Sequence, residues 1–325
     1  MLLNIREIKN KDPLLSFKFM PLKLMWQLLY KNIVEGNFKA IARAISLVEN
    51  EVEGYDQFLT SLPNSKTAVI GITGPPGAGK STLVDALIAY WVGEGKRIAV
   101  LCVDPSSPFN LGALLGDRIR MNEWYTHPNV FIRSLATRGS LGGLHPHIIE
   151  ITSIVQAANF DYIIIETVGV GQSEIEIAGL ADTTVVVVVP EAGDEVQTMK
   201  AGLMEIADLF VVNKSDRPDS DLFVRNLKSM LFHGKHLEHE IAVLKTVAST
   251  RTGIDALAEA IEKHQQLLVH SDKKIWLLTE RVYQLIEQQK MKGIDKEAIR
   301  KMIAAQLELP DFNLFNFAKN YPDAS

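Results

Sequence analysis

The stretch of this chain whose residue types and spacing carry the clearest chemistry is "GITGPPGAGKSTL", with Gly74-x-x-x-x-Gly79-Lys80-Ser81 inside it. Glycine admits backbone turns that other residues resist, so amide N–H groups can point inward around an anion. On this pattern Gly74, Pro75, Pro76, Gly77, Ala78 and Gly79 form a cradle for phosphate oxygens. Lys80 adds a point charge for the β and γ phosphates, and Ser81 offers a hydroxyl to Mg2+. Thr82 continues a helix whose N-terminus favours the anion. A glycine-rich turn of purely structural purpose would leave Lys80-Ser81-Thr82 unexplained.

A second constellation follows the apolar run "LFVV": Asn213-Lys214-x-Asp216. A carboxylate only accepts hydrogen bonds, so Asp216 can take those of the guanine ring N–H and exocyclic amine together. Adenine lacks that donor pair, which favours GTP and GDP over ATP. Asn213 can reach the purine edge and the stem of Lys214 can cover a ring face. Ser249 and Thr250, in "STRTGI" after the last apolar run, stand where a backbone contact to the guanine oxygen is expected. The four-letter match alone is weak; its place downstream of a phosphate loop, at a strand end, gives it meaning.

Acidic residues end two further apolar runs. Asp104 closes "IAVLCVD" and Glu166 closes "DYIIIE", while Asp117 lies in "LLGDRIRM". Mg2+ takes one or two carboxylates besides hydroxyl, water and phosphate oxygens, so Ser81, Asp104, Asp117 and Glu166 are the metal candidates. The bland alternative for any one acid is a helix cap or a surface contact. Gly169 and Gly171 in "TVGVGQ" occupy the place of a γ-phosphate sensor, with Gln172 a candidate to orient water. Lys80, Asp104, Asp117, Glu166 and Gln172 thus form the catalytic set. Arg118, Arg133 and Arg138 lie in the same zone, and surface solvation competes with charge stabilisation for each. His233, His236 and His239 recur at threes, but Gly234 and the charged neighbours favour an exposed loop over a metal site.

These groups need a scaffold that brings strand ends together. From residue 67 the sequence alternates short apolar runs with amphipathic stretches: "TAVIGIT", "RIAVLCV", "NVFIRS", "DYIIIET", "TTVVVVVP", "DLFVVNK" and "IAVLKTV". Unbroken apolar runs suit strands buried on both faces, as in a parallel sheet between helix layers. The expected fold is therefore α/β, a doubly wound, mostly parallel sheet over residues 63–264 with helical extensions at both ends. Ligands in such sheets bind at the carboxyl ends of the strands, where the polar residues above fall. Residues 1–62 read as helical, with Asn37 capping a helix that carries Ile41, Ala44, Ile45 and Val48 on one face. Residues 265–325 return to helical patterning, around 275–290 and 295–307.

Composition sets outer bounds. The 325 residues are 47% hydrophobic with a net charge of −5, far from the basic footprint of a nucleic-acid binder. One cysteine, Cys102, excludes an intramolecular disulfide. No apolar run reaches bilayer-spanning length and the first residues lack a signal-peptide shape, so a cytoplasmic protein without membrane attachment is expected.

Taken in order, "GPPGAGKSTL", "VDPSSP", "LLGDRIRM", "FIRSLATRGSLGG", "IIIETVGVGQSE", "PEAGDEVQTMKAG" and "VVNKSDR" closely resemble the MeaB/ArgK family of GTPases, the methylmalonyl-CoA mutase-associated G proteins. The resemblance spans the α/β region, and "FKAIARAISLVEN" is similar to that family's N-terminal helices. It implies Mg2+-dependent hydrolysis of GTP to GDP and phosphate. It also implies a chaperone role toward an adenosylcobalamin-dependent acyl-CoA mutase, typically methylmalonyl-CoA mutase, gating cofactor loading and protecting the enzyme. It further implies a homodimer through residues 265–325. An additional switch loop would fall on Gly193 to Lys200, with Asp194, Glu195, Gln197 and Lys200 as candidates. One departure is local: after "SLGG" relatives usually continue with small residues and an arginine, where this chain has "LHPHIIE" with Pro146 before a helix.

Three other functions compete. A nickel-type metallochaperone GTPase predicts a Cys/His cluster near the phosphate loop, which one cysteine and the His233 run supply poorly. An amino-acid transport-associated ATPase or kinase predicts ATP preference, which Asp216 opposes. A targeting GTPase of the signal-recognition type wants a methionine-rich module, and nine scattered methionines do not form one.

Overall fold

Helix signals at the N-terminal side act as their residue types dictate. The computed structural model describes residues 21–65, 67–104, 121–137, 144–167, 173–192, 204, 206–233, 241–268, 272–307 and 312–321. Helix α1 (Leu22–Val34) buries Met25, Trp26, Leu29 and Ile33. The Trp26 ring stacks on Phe58 of α3 (Tyr55–Ser61), and its indole donates to the Glu53 carbonyl. Asn37 caps α2 (Phe38–Glu49) as expected, its side chain accepting from the Ala40 amide at 3.1 Å. Ile41, Ala44, Ile45 and Val48 are all fully buried, the stripe an amphipathic helix needs to dock.

The seven apolar runs form the seven strands of one parallel sheet. They are β1 (Ala68–Thr73), β2 (Ile98–Asp104), β3 (Val130–Ala136), β4 (Tyr162–Glu166), β5 (Thr183–Val188), β6 (Leu209–Val212) and β7 (Ala242–Lys245), in spatial order β3-β2-β4-β1-β5-β6-β7. Helices cover both faces. The chain passes from β1 through α4 (Lys80–Gly93) to β2, and from β3 through α5 (Ile148–Gln156) to β4. It then passes through α6 (Ser173–Leu180) to β5, and from β6 through α7 (Ser220–His233) to β7 and α8 (Ile254–Leu268). One face, with Val69, Ala99, Leu101, Phe131 and Ile163, packs in a core with the N-terminal helices, α5 and α6. The other, with Ile70, Ile72, Val100, Ile164 and Val185, packs with α4 and α8. A third apolar group joins Val186, Val188, Phe210 and Val212 to Phe223 and Leu227 of α7. Each fully buried aliphatic side chain contributes roughly 1.5–3 kcal/mol relative to exposure.

Acids at the amino ends of the strands do structural work. Asp161, Asp182 and Asp208 accept the backbone N–H groups of Arg97, Val69 and Thr184 at 2.8, 2.9 and 2.8 Å. They satisfy donors that the parallel ladder leaves over. Asp208 also meets Lys273 and the His264 ring. Burial alone would raise the Asp208 carboxyl, but the hydrogen bond from His264 and the charges of Lys273 and His264 hold it below the usual aspartate range. A depressed carboxyl stabilises the fold above its unfolded pKa, and that contribution fades as pH falls through the lower folded value. Asp208→Asn is therefore expected to lower stability by about 2 kcal/mol near neutral pH. Its difference from the unaltered protein should shrink below about pH 4; urea unfolding at the two pH values measures it.

The chain divides into two compact units, residues 1–274 and 275–325. The second contains most of α9 (Asp272–Met291), then α10 (Lys296–Gln306) and α11 (Leu314–Lys319), the last capped by Asn313. The sequence showed the first two of these; six residues are too few for a helical period to declare itself. No helix among the described residues is long and apolar enough to cross a membrane.

Candidate functional site

At the carboxyl end of β1 the chain leaves the sheet at Thr73 and re-enters regular structure at Lys80, the first residue of α4. The loop between them requires its glycines. Gly74 has φ +136°, and a Cβ there would stand 2.1 Å from the Val187 carbonyl oxygen of β5. Gly79 has φ +87°, and its Cβ would strike Asn213 Nδ2 at 2.5 Å. Both positions thus demand a left-handed backbone and a close approach at once. Lys80 is buried, and its ammonium folds over the loop to the carbonyls of Gly74 and Pro75 at 2.8 and 3.0 Å.

Beneath the loop lies a layer of hard oxygen donors. Ser81 Oγ donates to Glu166 Oε1 at 2.6 Å, and both side chains are buried. Glu166 ends β4, level with Ile72 of β1 and Cys102 of β2. The next residue, Thr167, donates its hydroxyl to Thr73 Oγ1 at 3.0 Å and its backbone N–H to the Ile72 carbonyl at 3.1 Å. The sequence reading passed over Thr73 and Thr167. Their signal is position: each is the first hydroxyl after an apolar run, on neighbouring strands. Asp104 closes β2, in register with Ala136. The Asp104 side chain, and all of Asp117, Gly169, Gly171, Gln172, Arg118, Arg138 and Gly193 to Lys200, lie outside the described residues, as do His236 and His239.

Asn213 ties the base motif to the phosphate loop. Its Nδ2 donates to the Ala78 carbonyl at 2.9 Å, while its Oδ1 accepts from Thr246 Oγ1 and the Ala248 amide, both at 3.1 Å. The expected contact with the purine edge is left to the second Nδ2 hydrogen; the rest of the amide is a brace inside the protein. Lys214 takes a left-handed backbone, φ +55°, and reaches the Gly77 carbonyl at 2.8 Å, which lays its stem along the loop. Ser215 donates its N–H to the Thr246 carbonyl at 3.0 Å and Arg217 to the Lys214 carbonyl at 3.1 Å, so the turn presents Asp216 as an exposed carboxylate. Ser249 and Thr250 form a short 3-10 turn beside it and are exposed; the Thr250 hydroxyl donates to the Val247 carbonyl at 3.2 Å. Arg217 pairs with Glu191, and its hydrogen bond holds that carboxyl below the usual glutamate range.

Arg133, a candidate for charge stabilisation, faces elsewhere. Its guanidinium bonds Glu49 Oε2 at 2.9 Å and Ser46 Oγ at 3.1 Å on α2. Trp124, in a short turn at Asn122–Trp124, donates to Asp85 of α4 at 2.8 Å, and Glu123 stands 3.8 Å from Arg251 of the loop after β7.

A parallel sheet with this glycine-bound loop at the end of β1, a serine–glutamate pair beneath it and an Asn-Lys-x-Asp turn braced against it defines a P-loop GTPase fold. The family model for methylmalonyl-CoA mutase-associated GTPase MeaB matches residues 41–304, and the chain belongs to that family. It is 45% identical over 285 residues to "Putative GTPase PH0274" of Pyrococcus horikoshii, covering 86% of this chain and 88% of that one. It is 33% identical over 296 residues to GTPase ArgK of Escherichia coli, covering 88% and 87%. A Caenorhabditis briggsae protein named methylmalonic aciduria type A homolog, mitochondrial, is 39% identical over 210 residues, 58% of this chain and 50% of that protein. The fold is shared with a crystal structure described as LAO/AO transport system kinase, at TM-score 0.65 and 24% identity, covering 92% of this chain and 97% of that one.

Proposed function

We propose that this chain hydrolyses GTP to GDP and phosphate and uses the cycle to chaperone an adenosylcobalamin-dependent acyl-CoA mutase, gating cofactor loading and protecting the enzyme. The observation that carries the nucleotide half is the Asn213 brace. One buried amide binds the phosphate loop at Ala78 and the base-side turn at Ala248, so base and phosphate are held by a single rigid unit. The family description, together with the relative named for methylmalonic aciduria, supports the mutase half.

In this reading Asp216 selects guanine and the loop amides surround the phosphates. Lys80 moves its ammonium from the Gly74 and Pro75 carbonyls toward the β and γ oxygens, where charge builds as water attacks in line. Mg2+ fits the donor set, since Ser81 and Glu166 are hard oxygens 2.6 Å apart with Asp104 closing the adjacent strand; when bound it neutralises phosphate charge. Ser81, with Asp104, Asp117 and Glu166, would hold it directly or through water. Gln172 remains the candidate to orient the attacking water. The protein would work in the cytoplasm, as a homodimer formed through the C-terminal extension beginning near residue 265. Within the second unit, α9 exposes Ile275, Trp276, Leu278, Val282, Tyr283 and Ile286, an apolar surface of the kind a subunit contact covers.

Mixing the protein with an adenosylcobalamin-dependent acyl-CoA mutase tests this directly. A complex is expected with GTP or a non-hydrolysable analogue, and a change of about tenfold in GTP turnover, in the usual range of coupling between sites. ATP should produce neither. Unchanged turnover and no complex with any such mutase would sink the chaperone reading while leaving GTP hydrolysis intact.

A further inference from the structure

β1 and β4 lie side by side in the middle of the sheet, and their ladder ends on the pair Ile72 and Glu166. The Thr167 N–H still reaches the Ile72 carbonyl at 3.1 Å. Past that point stand Thr73 on one chain and Thr167 on the other, joined hydroxyl to hydroxyl at 3.0 Å. They are 0% and 1% exposed, and the buried residues before them are Val69, Ile70 and Ile72 on β1 and Ile163, Ile164 and Ile165 on β4. Two valines would have the same shape and need no partner, so packing alone does not call for this pair.

The bond belongs to a closed ring. Thr73 continues into Gly74, whose carbonyl accepts from Lys80 Nζ at 2.8 Å. Lys80 continues into Ser81, whose hydroxyl donates to Glu166 at 2.6 Å. Glu166 continues into Thr167, which returns to Thr73. Three peptide links and three hydrogen bonds thus enclose six residues, all of them buried.

The three bonds differ in what a bound nucleotide asks of them. Phosphate competes for the Lys80 ammonium, and Mg2+ for the Ser81 oxygen. The threonine hydroxyls carry no charge and sit at the strand ends, so their bond can stay closed while the other two open. We propose that Thr73 and Thr167 are positioning residues for GTP hydrolysis. Their bond keeps Glu166 in register with the root of the phosphate loop when Lys80 and Ser81 turn to the ligand. The inference rests on the reading of the chain as an Mg2+-using GTPase. In this role neither hydroxyl meets the reacting atoms. Groups that hold a metal ligand in place change metal affinity or activity by about 10–100-fold when they are lost.

Thr73→Val/Thr167→Val removes both hydroxyls and keeps both shapes. It should melt within about 3 °C of the unaltered protein, since replacing both partners of a buried bond by apolar groups of the same shape is nearly neutral. Its kcat for GTP should nevertheless fall about tenfold with KM changed by less than about twofold, and Mg2+ should bind its GDP complex about tenfold more weakly. Titrating the complex of a fluorescent GDP with Mg2+ reads that affinity without turnover. In EDTA the same GDP should bind both proteins alike. Thr73→Ser/Thr167→Ser keeps the hydroxyls and deletes two buried methyls, so it should melt lower than the valine variant yet retain kcat and Mg2+ affinity. The two variants therefore rank oppositely in stability and in function, which a purely structural bond would not produce. A valine variant that melts below the serine variant, or that keeps the unaltered kcat or Mg2+ affinity, overturns the inference; so does a serine variant that loses either. Failure of the unaltered protein to hydrolyse GTP, or to bind Mg2+ with GDP, removes the underlying reading instead, so the two failures are distinguishable.

Discussion

Lys80→Ala is expected to lower single-turnover GTP hydrolysis on the order of 10³-fold, as loss of a preorganised charge at a developing oxyanion does. That ratio corresponds to about 4 kcal/mol of transition-state stabilisation. Lys80 is a buried cation whose ammonium rests on the Gly74 and Pro75 carbonyls, which keep it at the loop and ready to swing to the β and γ oxygens. Alanine removes that charge without disturbing the helix, since it is the best helix former at the first position of α4. GTP should lose more affinity than GDP, because the γ phosphate brings the extra charge that Lys80 answers. Lys80→Arg should not restore the rate: a planar guanidinium cannot replace a compact ammonium in a pocket lined by two carbonyls. Melting within a few degrees of the unaltered protein, alongside the lost turnover, separates this outcome from misfolding. A variant that still hydrolyses GTP at more than a tenth of the normal rate would remove Lys80 from the catalytic machinery.

The apolar runs announced the sheet because residues buried on both faces leave no polar interruption, and all seven became strands. Asn37 was legible for a similar reason: a cap needs one residue type at one place, with little tertiary help. Arg133 shows where local reading stops. Within a strand its parity fixes which face it takes, yet continuous burial erases the alternation that would reveal the face. Only the packing of α2 shows that Glu49 and Ser46 await it there. The same limit applies to Asn213. Its motif suggests a purine contact, but its partners Ala78, Thr246 and Ala248 come from two distant loops joined only by strand order. Strand order is a property of the whole chain, and no window of residues contains it. The acids divide by the same logic. Glu166 and Asp104 close strands at the carboxyl edge, whereas Asp161, Asp182 and Asp208 precede strands and bond backbone N–H groups at the amino edge. Position relative to the apolar run therefore separates the acids at the carboxyl edge from the structural acids at the amino edge, which residue type alone does not.

Asp216→Asn is expected to exchange one base preference for another. The carboxylate can accept from both the guanine ring N–H and the exocyclic amine. Asparagine keeps one oxygen but sets an N–H2 against that amine, leaving two donors facing each other. A site built around hydrogen bonds rejects a partner that leaves them unmet by as much as about 10⁴-fold. A loss on the order of 10³-fold in GTP affinity is expected here, since Asp216 is solvent-exposed. Xanthine carries a carbonyl where guanine carries the amine, so the asparagine N–H2 gains an acceptor while its oxygen keeps the ring N–H. Xanthosine triphosphate should therefore bind the variant more tightly than GTP does, and the unaltered protein should show the reverse order. Exposure also makes the substitution harmless to the fold, because the turn is held by Ser215, Arg217 and the Asn213 brace rather than by the carboxylate. Titration of both proteins with the two triphosphates reads the result as a ratio, which cancels any shared loss of active protein. Equal weakening toward both bases would mean that Asp216 supports the turn without reading the base, and ATP binding the unaltered protein as tightly as GTP would remove the guanine assignment altogether.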